Sequence, residues 1–267
     1  MNPAYYRPVD VAEALKLKSE LGAGAVYLAG GTEVNNSSFP RPAALIDLSG
    51  LGLDRIEIGS HEVVLGAMVT FQQLIEHPDV PWYLKAAAGQ MTNRNIRNRA
   101  TLGGQLVVNR SCADLIPTLV AARVTVNMVD GACGVEQVVA GQKGLILSLV
   151  LPLSKRSFGL ANHTRTAADV SIVTAACSLG LHEGLVVDPV LALGGVASRV
   201  VRLDAVERAI AGAPLPTAEK LEALIGAQVN PLDDLRGSSS FKRQIASVLG
   251  ARVLRDAAGR LQTGEGV

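Results

Sequence analysis

Cysteine and net charge are both scarce in this chain, and each shortage closes off a class of function. Three cysteines, Cys112, Cys133 and Cys177, are scattered through 267 residues, and none pair at C-x-x-C spacing. An odd, dispersed set supplies neither a disulfide framework nor the grouped thiolates of a zinc or iron–sulfur site. Any redox group is therefore not held by the chain's own sulfur. Lysine and arginine total 25 against 24 aspartates and glutamates, a formal net charge of +1. That balance lacks the basic field that nucleic acid or an anionic membrane surface calls for. No apolar run approaches the roughly 20 residues of a membrane helix. The longest, 144–153, contains Pro152 and reads as a buried strand. The opening MNPAYYRPVD has no apolar signal core, so the chain is expected to be cytoplasmic. His61, His77, His163 and His182 show no metal-ligand spacing, and no Ser/His/Asp or Cys/His set stands out.

What is present suits a packed core. Hydrophobic residues make up 48% and charged residues 18% of a chain long enough for one large domain or two modest ones. Apolar residues at helical spacing predict a helix over 9–21, stopped by Gly22 and Gly24. Strands are expected over 25–28 and 45–48, and a hairpin over 56–58 and 62–65 around Gly59-Ser60. Thr70 is placed to cap a helix over 71–76 that ends before Pro78, and 82–91 reads as helical. The polar, basic stretch 93–106 runs into Gly103-Gly104. Asp114 is expected to cap a helix reaching about Ala122, with Pro117 in its first turn. Strands follow over 124–128 and 145–151. The long apolar runs 170–181 and 185–196 around Glu183-Gly184 read as an antiparallel hairpin. Helices are expected over 202–211, 216–227 and 238–258. Strands followed by a helix cluster suggest a second, small α+β domain beginning near residue 160.

Three segments share a form: YLAGGTEV at 27–34, ATLGGQLV at 100–107 and LALGGVAS at 191–198. A Gly-Gly pair permits positive φ and can leave successive backbone N–H groups open to an anion. The competing reading of any one copy is a tight turn and nothing more. The first two copies are each followed by polar side chains, Thr32, Glu33 and Asn35 in one and Gln105 and Asn109 in the other, and two such loops facing each other would suit a pyrophosphate. A conventional dinucleotide fold is excluded by order: Gly22-Ala23-Gly24 follows a helix and precedes a strand, and Tyr27 occupies the third glycine's place. Arg94, Arg97, Arg99 and Arg110 surround the second Gly-Gly, either as a solvated basic face or as forks for phosphate or a partner's carboxylate. Asp114 suits ribose hydroxyls as well as a helix cap.

Taken in order, these blocks resemble the FAD-binding medium subunit of the molybdenum hydroxylases, the group of xanthine dehydrogenase and aerobic carbon monoxide dehydrogenase. The resemblance runs nearly end to end. Tyr6-Arg7-Pro8, Glu13-Ala14 and Leu28-Ala29-Gly30-Gly31-Thr32-Glu33 match its opening, and Ile96-Arg97-Asn98 with Ala100-Thr101-Leu102-Gly103-Gly104 matches its second flavin segment. Asp114 and Pro117 follow at the expected spacing. Leu193-Gly194-Gly195-Val196-Ala197, Arg202, Glu207, Asp233-Asp234-Leu235-Arg236-Gly237-Ser238 and Lys242-Arg243 match its C-terminal domain.

The resemblance implies an α+β chain: a two-subdomain FAD-binding fold of the PCMH/vanillyl-alcohol-oxidase type over 1–160, then a small domain of antiparallel sheet and helices over 161–267. It implies FAD contacts at Leu28, Ala29, Gly30, Gly31, Thr32, Glu33 and Val34, and at Thr101, Gly103, Gly104 and Gln105, with Asp114 toward the ribitol or ribose. The third Gly-Gly is expected to be structural. The implied function is electron transfer from iron–sulfur clusters of a small partner subunit, through FAD, to NAD or another acceptor. The organic substrate would be oxidised on a large molybdopterin subunit. Nucleic acid and membrane are not expected partners, and no metal site or catalytic acid–base residue is expected in this chain. Two departures stand out. Gln105 replaces the usual Asn, and Val108-Asn109-Arg110-Ser111 replaces a common Asn-Ala-Ser-Pro stretch. The altered stretch keeps open a flavin-free assembly module as the alternative. A covalent-flavin oxidase would need a His or Cys beside the flavin, and neither loop offers one.

Overall fold

The computed structural model describes residues 2–91, 93–166 and 169–263, and contains three sheets. The first unit is a small parallel α/β layer. Strand β1 (Ala4–Tyr6) leads into helix α1 (Val11–Leu21), whose N-terminus is capped by the Asp10 side chain accepting from the Glu13 amide. Strands β2 (Ala25–Leu28) and β3 (Ala44–Asp47) complete a sheet of order β1-β3-β2, all parallel. Ala14, Ala25, Ala44 and Ile46 form its buried centre. Parallel strands place all their carboxyl ends on one edge, the edge where ligands bind in open α/β sheets.

The second unit holds strands β4 (Ile56–Ile58) and β5 (Glu62–Gly66), then helices α2 (Phe71–Glu76), α3 (Trp82–Gly89), α4 (Arg94–Arg97), α5 (Leu102–Val108) and α6 (Ile116–Ala121). Strands β6 (Thr125–Met128) and β7 (Gly131–Gly134), helix α7 (Val135–Ala140) and strand β8 (Ile146–Pro152) follow. The strands form an antiparallel sheet of order β4-β5-β8-β6-β7. Thr70 caps α2 as the sequence indicates, in a reciprocal box with Gln73.

The third unit contains strands β9 (Ser157–His163), β10 (Val173–His182), β11 (Leu185–Gly194) and β12 (Val201–Arg202), then helices α8 (Asp204–Ile210), α9 (Ala218–Gln228) and α10 (Ser239–Thr263). The β10–β11 hairpin lies at the centre of an antiparallel sheet of order β12-β11-β10-β9. The chain leaves the five-stranded sheet at Pro152 and enters this one at Ser157, so the division expected at 160 falls inside β9.

The second and third units share one hydrophobic cluster that includes Leu84, Phe158 and Val190. Tyr83 on α3 stacks on Phe158 at 3.7 Å between centroids, 12° from parallel. Arg123 and Arg156 both pair with Asp188, and Arg202 on β12 reaches Glu136 on α7 at 2.8 Å. Among the described residues, no helix is long and apolar enough to cross a membrane.

Candidate functional site

Residues 29–34 leave the carboxyl end of β2 and fold into a single turn, with the Asn35 amide on the Gly31 carbonyl at 3.0 Å and the Asn36 amide on that of Glu33 at 2.8 Å. Gly31 holds φ +76°, a conformation that favours glycine. The first N–H groups of such a turn have no partner within it, as at a helix N-terminus. The amides of Gly30, Gly31, Thr32, Glu33 and Val34 donate to no acceptor among the described residues. Thr32 is exposed; Leu28, Ala29, Gly30, Glu33 and Val34 are half-buried. Consecutive uncommitted amides of this kind are an anion-binding arrangement.

The second Gly-Gly differs from the sequence expectation. It is the first turn of α5, not an open loop, and neither Gly103 nor Gly104 has positive φ. Its amides are already used. Leu102 donates to Val69 at 3.0 Å, Gly103 to Ala67 at 2.8 Å, and Gly104 to the buried Thr101 hydroxyl at 3.1 Å. Glycine is needed here for closeness. A Cβ on Gly103 would lie 3.0 Å from the Ala67 Cβ; one on Gly104 would lie 2.8 Å from Thr101 Oγ1 and 4.0 Å from the Ala29 Cβ. What this segment offers a ligand is side chain. Gln105 Oε1 is buried and accepts no hydrogen bond among the described residues.

The two segments meet. A Cβ on Gly30 would stand 1.6 Å from the Arg99 carbonyl oxygen, so the loop backbone rests directly on the chain before α5. Arg99 Nε donates to the Gly30 carbonyl at 3.2 Å, and Arg110 Nη2 reaches Glu33 Oε1 at 2.5 Å. The four clustered arginines thus share no partner. Arg94 pairs with Glu76 at 3.0 Å, and Arg97 holds Gln72 Oε1 at 3.0 Å and the Met91 carbonyl at 2.8 Å. Nearby, a cavity of about 380 Å³ lies between the end of β3 and the second unit, lined by Leu48, Ser49, Met68, Thr70, Gln72 and Asn98.

The stretch after α5 is fastened on both sides. Asn109 ends the helix at φ +46° and its Nδ2 donates to the Val139 carbonyl at 2.8 Å. The Ser111 carbonyl accepts from the Gly195 amide at 2.7 Å, and its hydroxyl donates to the Ala197 carbonyl. The third Gly-Gly is therefore a seam between the C-terminal unit and this stretch. Asp114 does not cap α6 as expected. The N-cap position is Leu115, which makes no side-chain bond, because the Asp114 carboxylate turns to the Ser171 hydroxyl at 2.8 Å. Burial pushes the Asp114 pKa up; the Ser171 bond and the charge of Arg236 act the other way. Nothing in the sequence flags Ser171, which lies 57 positions away. Arg99 and Arg110 were visible as basic residues, but their long-range partners were not.

Residues 1–142 match the family described as "FAD binding domain in molybdopterin dehydrogenase", and residues 160–257 match "CO dehydrogenase flavoprotein C-terminal domain". The Uncharacterized protein YgfM of Escherichia coli strain K12 is 30% identical over 255 residues, 94% of this chain and 95% of the relative. The nicotine 6-hydroxylase medium subunit of Paenarthrobacter nicotinovorans is 26% identical, with 96% of this chain and 97% of the relative covered. The carbon monoxide dehydrogenase medium chain of Hydrogenophaga pseudoflava is 27% identical, with 95% and 96% covered. A solved carbon monoxide dehydrogenase from Hydrogenophaga pseudoflava superposes with a TM-score of 0.89 at 25% identity, covering 97% of this chain and 98% of that one. These matches show that the chain belongs to the family of FAD-binding medium subunits of molybdenum hydroxylases.

Proposed function

We propose that this chain is the electron-transfer subunit of a molybdenum hydroxylase and holds its FAD non-covalently between the 29–34 loop and the start of α5. Bound there, FAD would supply electron transfer between the iron–sulfur clusters of a small partner and NAD or another acceptor, the organic substrate being oxidised on a large molybdopterin partner. The observation that carries the reading is the run of uncommitted amides from Gly30 to Val34. Those amides receive the pyrophosphate, and Leu28, Ala29 and Val34 line the loop around them. Thr101 fixes the first turn of α5 by accepting from Gly104, so that Gln105 keeps its unpartnered carbonyl for a donor on the cofactor. Gly103 and Gly104 let that turn lie close to Ala67 and Ala29. Asp114, already tied to Ser171, offers its carboxylate to ribitol or ribose hydroxyls.

Acid or heat denaturation of the yellow protein should release all the flavin as free FAD. Flavin that stays with the denatured chain, or a purified protein that takes up no FAD on reconstitution, would overturn the proposal. The alternative of a flavin-free assembly module rested on the altered 108–111 stretch. Four hydrogen bonds account for that stretch: Asn109 to the Val139 carbonyl, the Gly195 amide to the Ser111 carbonyl, the Ser111 hydroxyl to the Ala197 carbonyl, and Arg110 to Glu33. It is a fixed element, which favours a retained cofactor.

Asp114→Asn should separate binding from folding. A hydrogen bond to a charged acceptor contributes about 1.5–3 kcal/mol, so FAD affinity is expected to fall by about tenfold or more. The flavin-free form should gain stability at neutral pH, because asparagine keeps an acceptor for Ser171 without a buried charge. Burial raises the folded-state pKa of Asp114 above that of unfolded aspartate. Stability from this group therefore falls as pH rises from the unfolded value through the folded one. The advantage of the variant should be largest near neutral pH and vanish in acid. A gain of about 1 kcal/mol corresponds to roughly 2–4 °C in a chain of this size. Calorimetry across pH, with flavin titration, checks both halves; a less stable variant with unchanged affinity contradicts them.

A further inference from the structure

The structure pairs a carboxylate of the amide-lined loop with a guanidinium delivered from just beyond the end of α5. Glu33 sits within the run of five uncommitted amides, where a bare negative charge would repel a diphosphate. Arg110, 77 positions later in the chain, meets it at 2.5 Å. The backbone carrying Arg110 is held on both sides, by Asn109 on the Val139 carbonyl and by Ser111 against Gly195 and Ala197. The guanidinium thus comes from an anchored base, whereas the loop it meets is a single turn. Arg99 ties the same loop at the Gly30 carbonyl and belongs to no ion pair among the described residues.

We propose that Arg110 and Glu33 form a cofactor clasp, a pair of positioning residues that holds the 30–34 amides toward the cofactor and screens the Glu33 charge from its pyrophosphate. This rests on the FAD reading above. The two tasks give the pair an asymmetry that a merely structural ion pair lacks. Without Arg110 the loop loses its tie and the diphosphate also faces an unscreened carboxylate. Without the Glu33 charge the tie is lost too, but Arg110 is freed as a cation beside the diphosphate. The side chains of Arg110 and Glu33 are 49% and 28% exposed, so neither substitution empties a core position and both variants should fold.

The test is FAD titration of the flavin-free protein, followed by flavin fluorescence at two ionic strengths, for wild type, Arg110→Gln, Glu33→Gln and the double variant. Arg110→Gln is expected to weaken FAD by about tenfold, more at low salt because repulsion between exposed charges is screened by ions. Glu33→Gln should bind within about threefold of wild type, and adding it to Arg110→Gln should recover the part of the loss that comes from the unscreened carboxylate, leaving the part that comes from the lost tie. Riboflavin, which has no phosphate, should bind all four proteins with affinities within about threefold. Equal losses for both single variants, with no recovery in the double, would show an ordinary structural pair and overturn the proposal. Unchanged affinity in Arg110→Gln would overturn it as well. A wild-type protein that binds no FAD would instead remove the FAD reading on which the clasp depends.

Discussion

Gly30→Ala is expected to cost the protein nearly all of its flavin, with a flavin-to-protein ratio below about a tenth of the wild-type value. The added methyl would lie 1.6 Å from the Arg99 oxygen, 2.5 Å from its carbon and 3.3 Å from the Ala100 nitrogen. All three are backbone atoms, so no side-chain rotation relieves the overlap. Nor is that backbone free to retreat. The Arg99 and Ala100 amides both donate to Ile96, at 2.9 and 2.7 Å, and the Ala100 carbonyl accepts from Phe71 at 3.0 Å. The loop itself must therefore lift, carrying its five amides away from the start of α5. Overpacking a fixed site costs about 1–3 kcal/mol and sometimes more. Here the strain falls on the contact that joins the two segments. Gly104→Ala is the informative comparison. Its methyl crowds Thr101 Oγ1, at 2.8 Å, with the Ala29 Cβ at an ordinary contact distance of 4.0 Å, and that hydroxyl can rotate away at the expense of a helix cap, about 1 kcal/mol. Absorbance of the purified variants, with thermal melts as a folding control, should rank Gly30→Ala well below Gly104→Ala. A Gly30→Ala protein with a full complement of flavin would refute this account of how the segments meet.

A reading of Gly-Gly pairs alone treats the first two copies alike, and the difference between them shows what a sequence conveys. Local chemistry was legible. Thr70 caps α2 because a hydroxyl before an apolar helical run has one obvious acceptor role, and the β10–β11 hairpin follows from two long apolar runs around Glu183-Gly184. The order of blocks along the chain carried the family. Partners far apart in sequence were not legible. Thr101 commits the second Gly-Gly to a helix by accepting from Gly104, while Val69 and Ala67 take the amides before it. Both acceptors lie in the connection after β5, more than thirty positions upstream, and no spacing rule points to them. Asp114 illustrates the same limit, since its choice of Ser171 over the α6 amides is settled by the packing of two units. Short edge strands were missed for another reason. Strand β7, with the sequence Gly-Ala-Cys-Gly, has almost no strand propensity of its own and exists because β6 offers it a ladder. Three-residue β1 likewise depends on its parallel partner β3.

Glu207→Ala should be the most destabilising single change in the C-terminal unit, by about 3 kcal/mol, the cost of leaving a buried backbone donor and part of a guanidinium without their acceptor. Strand β12 is only two residues long and pairs with β11 at Ala192 and Leu193. The next amide of β11, that of the fully buried Leu191, has no strand partner on that side, and Glu207 Oε1 accepts from it at 2.9 Å. A carboxylate thus extends the sheet where the edge strand stops. The same group holds Arg202 with Nε at 3.0 Å and Nη2 at 2.8 Å, and Arg202 in turn reaches Glu136 across the junction. With side-chain exposures of 7% for Glu207 and 25% for Arg202, water replaces these contacts poorly. Alanine would leave the Leu191 amide and Arg202 Nη2 unpaired, with Glu136 and Asp204 still beside the guanidinium. Glutamine should cost less than half as much, because its oxygen still accepts from Leu191. At roughly 2–4 °C per kcal/mol, the alanine variant should melt about 10 °C below the parent. The effect should reach the proposed flavin site, since β11 ends at Gly194 and the next residue, Gly195, donates to Ser111 just beyond α5. Flavin release followed by fluorescence should therefore shift down with the loss of secondary structure followed by circular dichroism. A Glu207→Ala protein melting within about 2 °C of wild type would mean that the Leu191 amide and Arg202 find other partners. Flavin release unmoved by a large drop in melting temperature would mean that the C-terminal unit does not brace the 109–114 stretch.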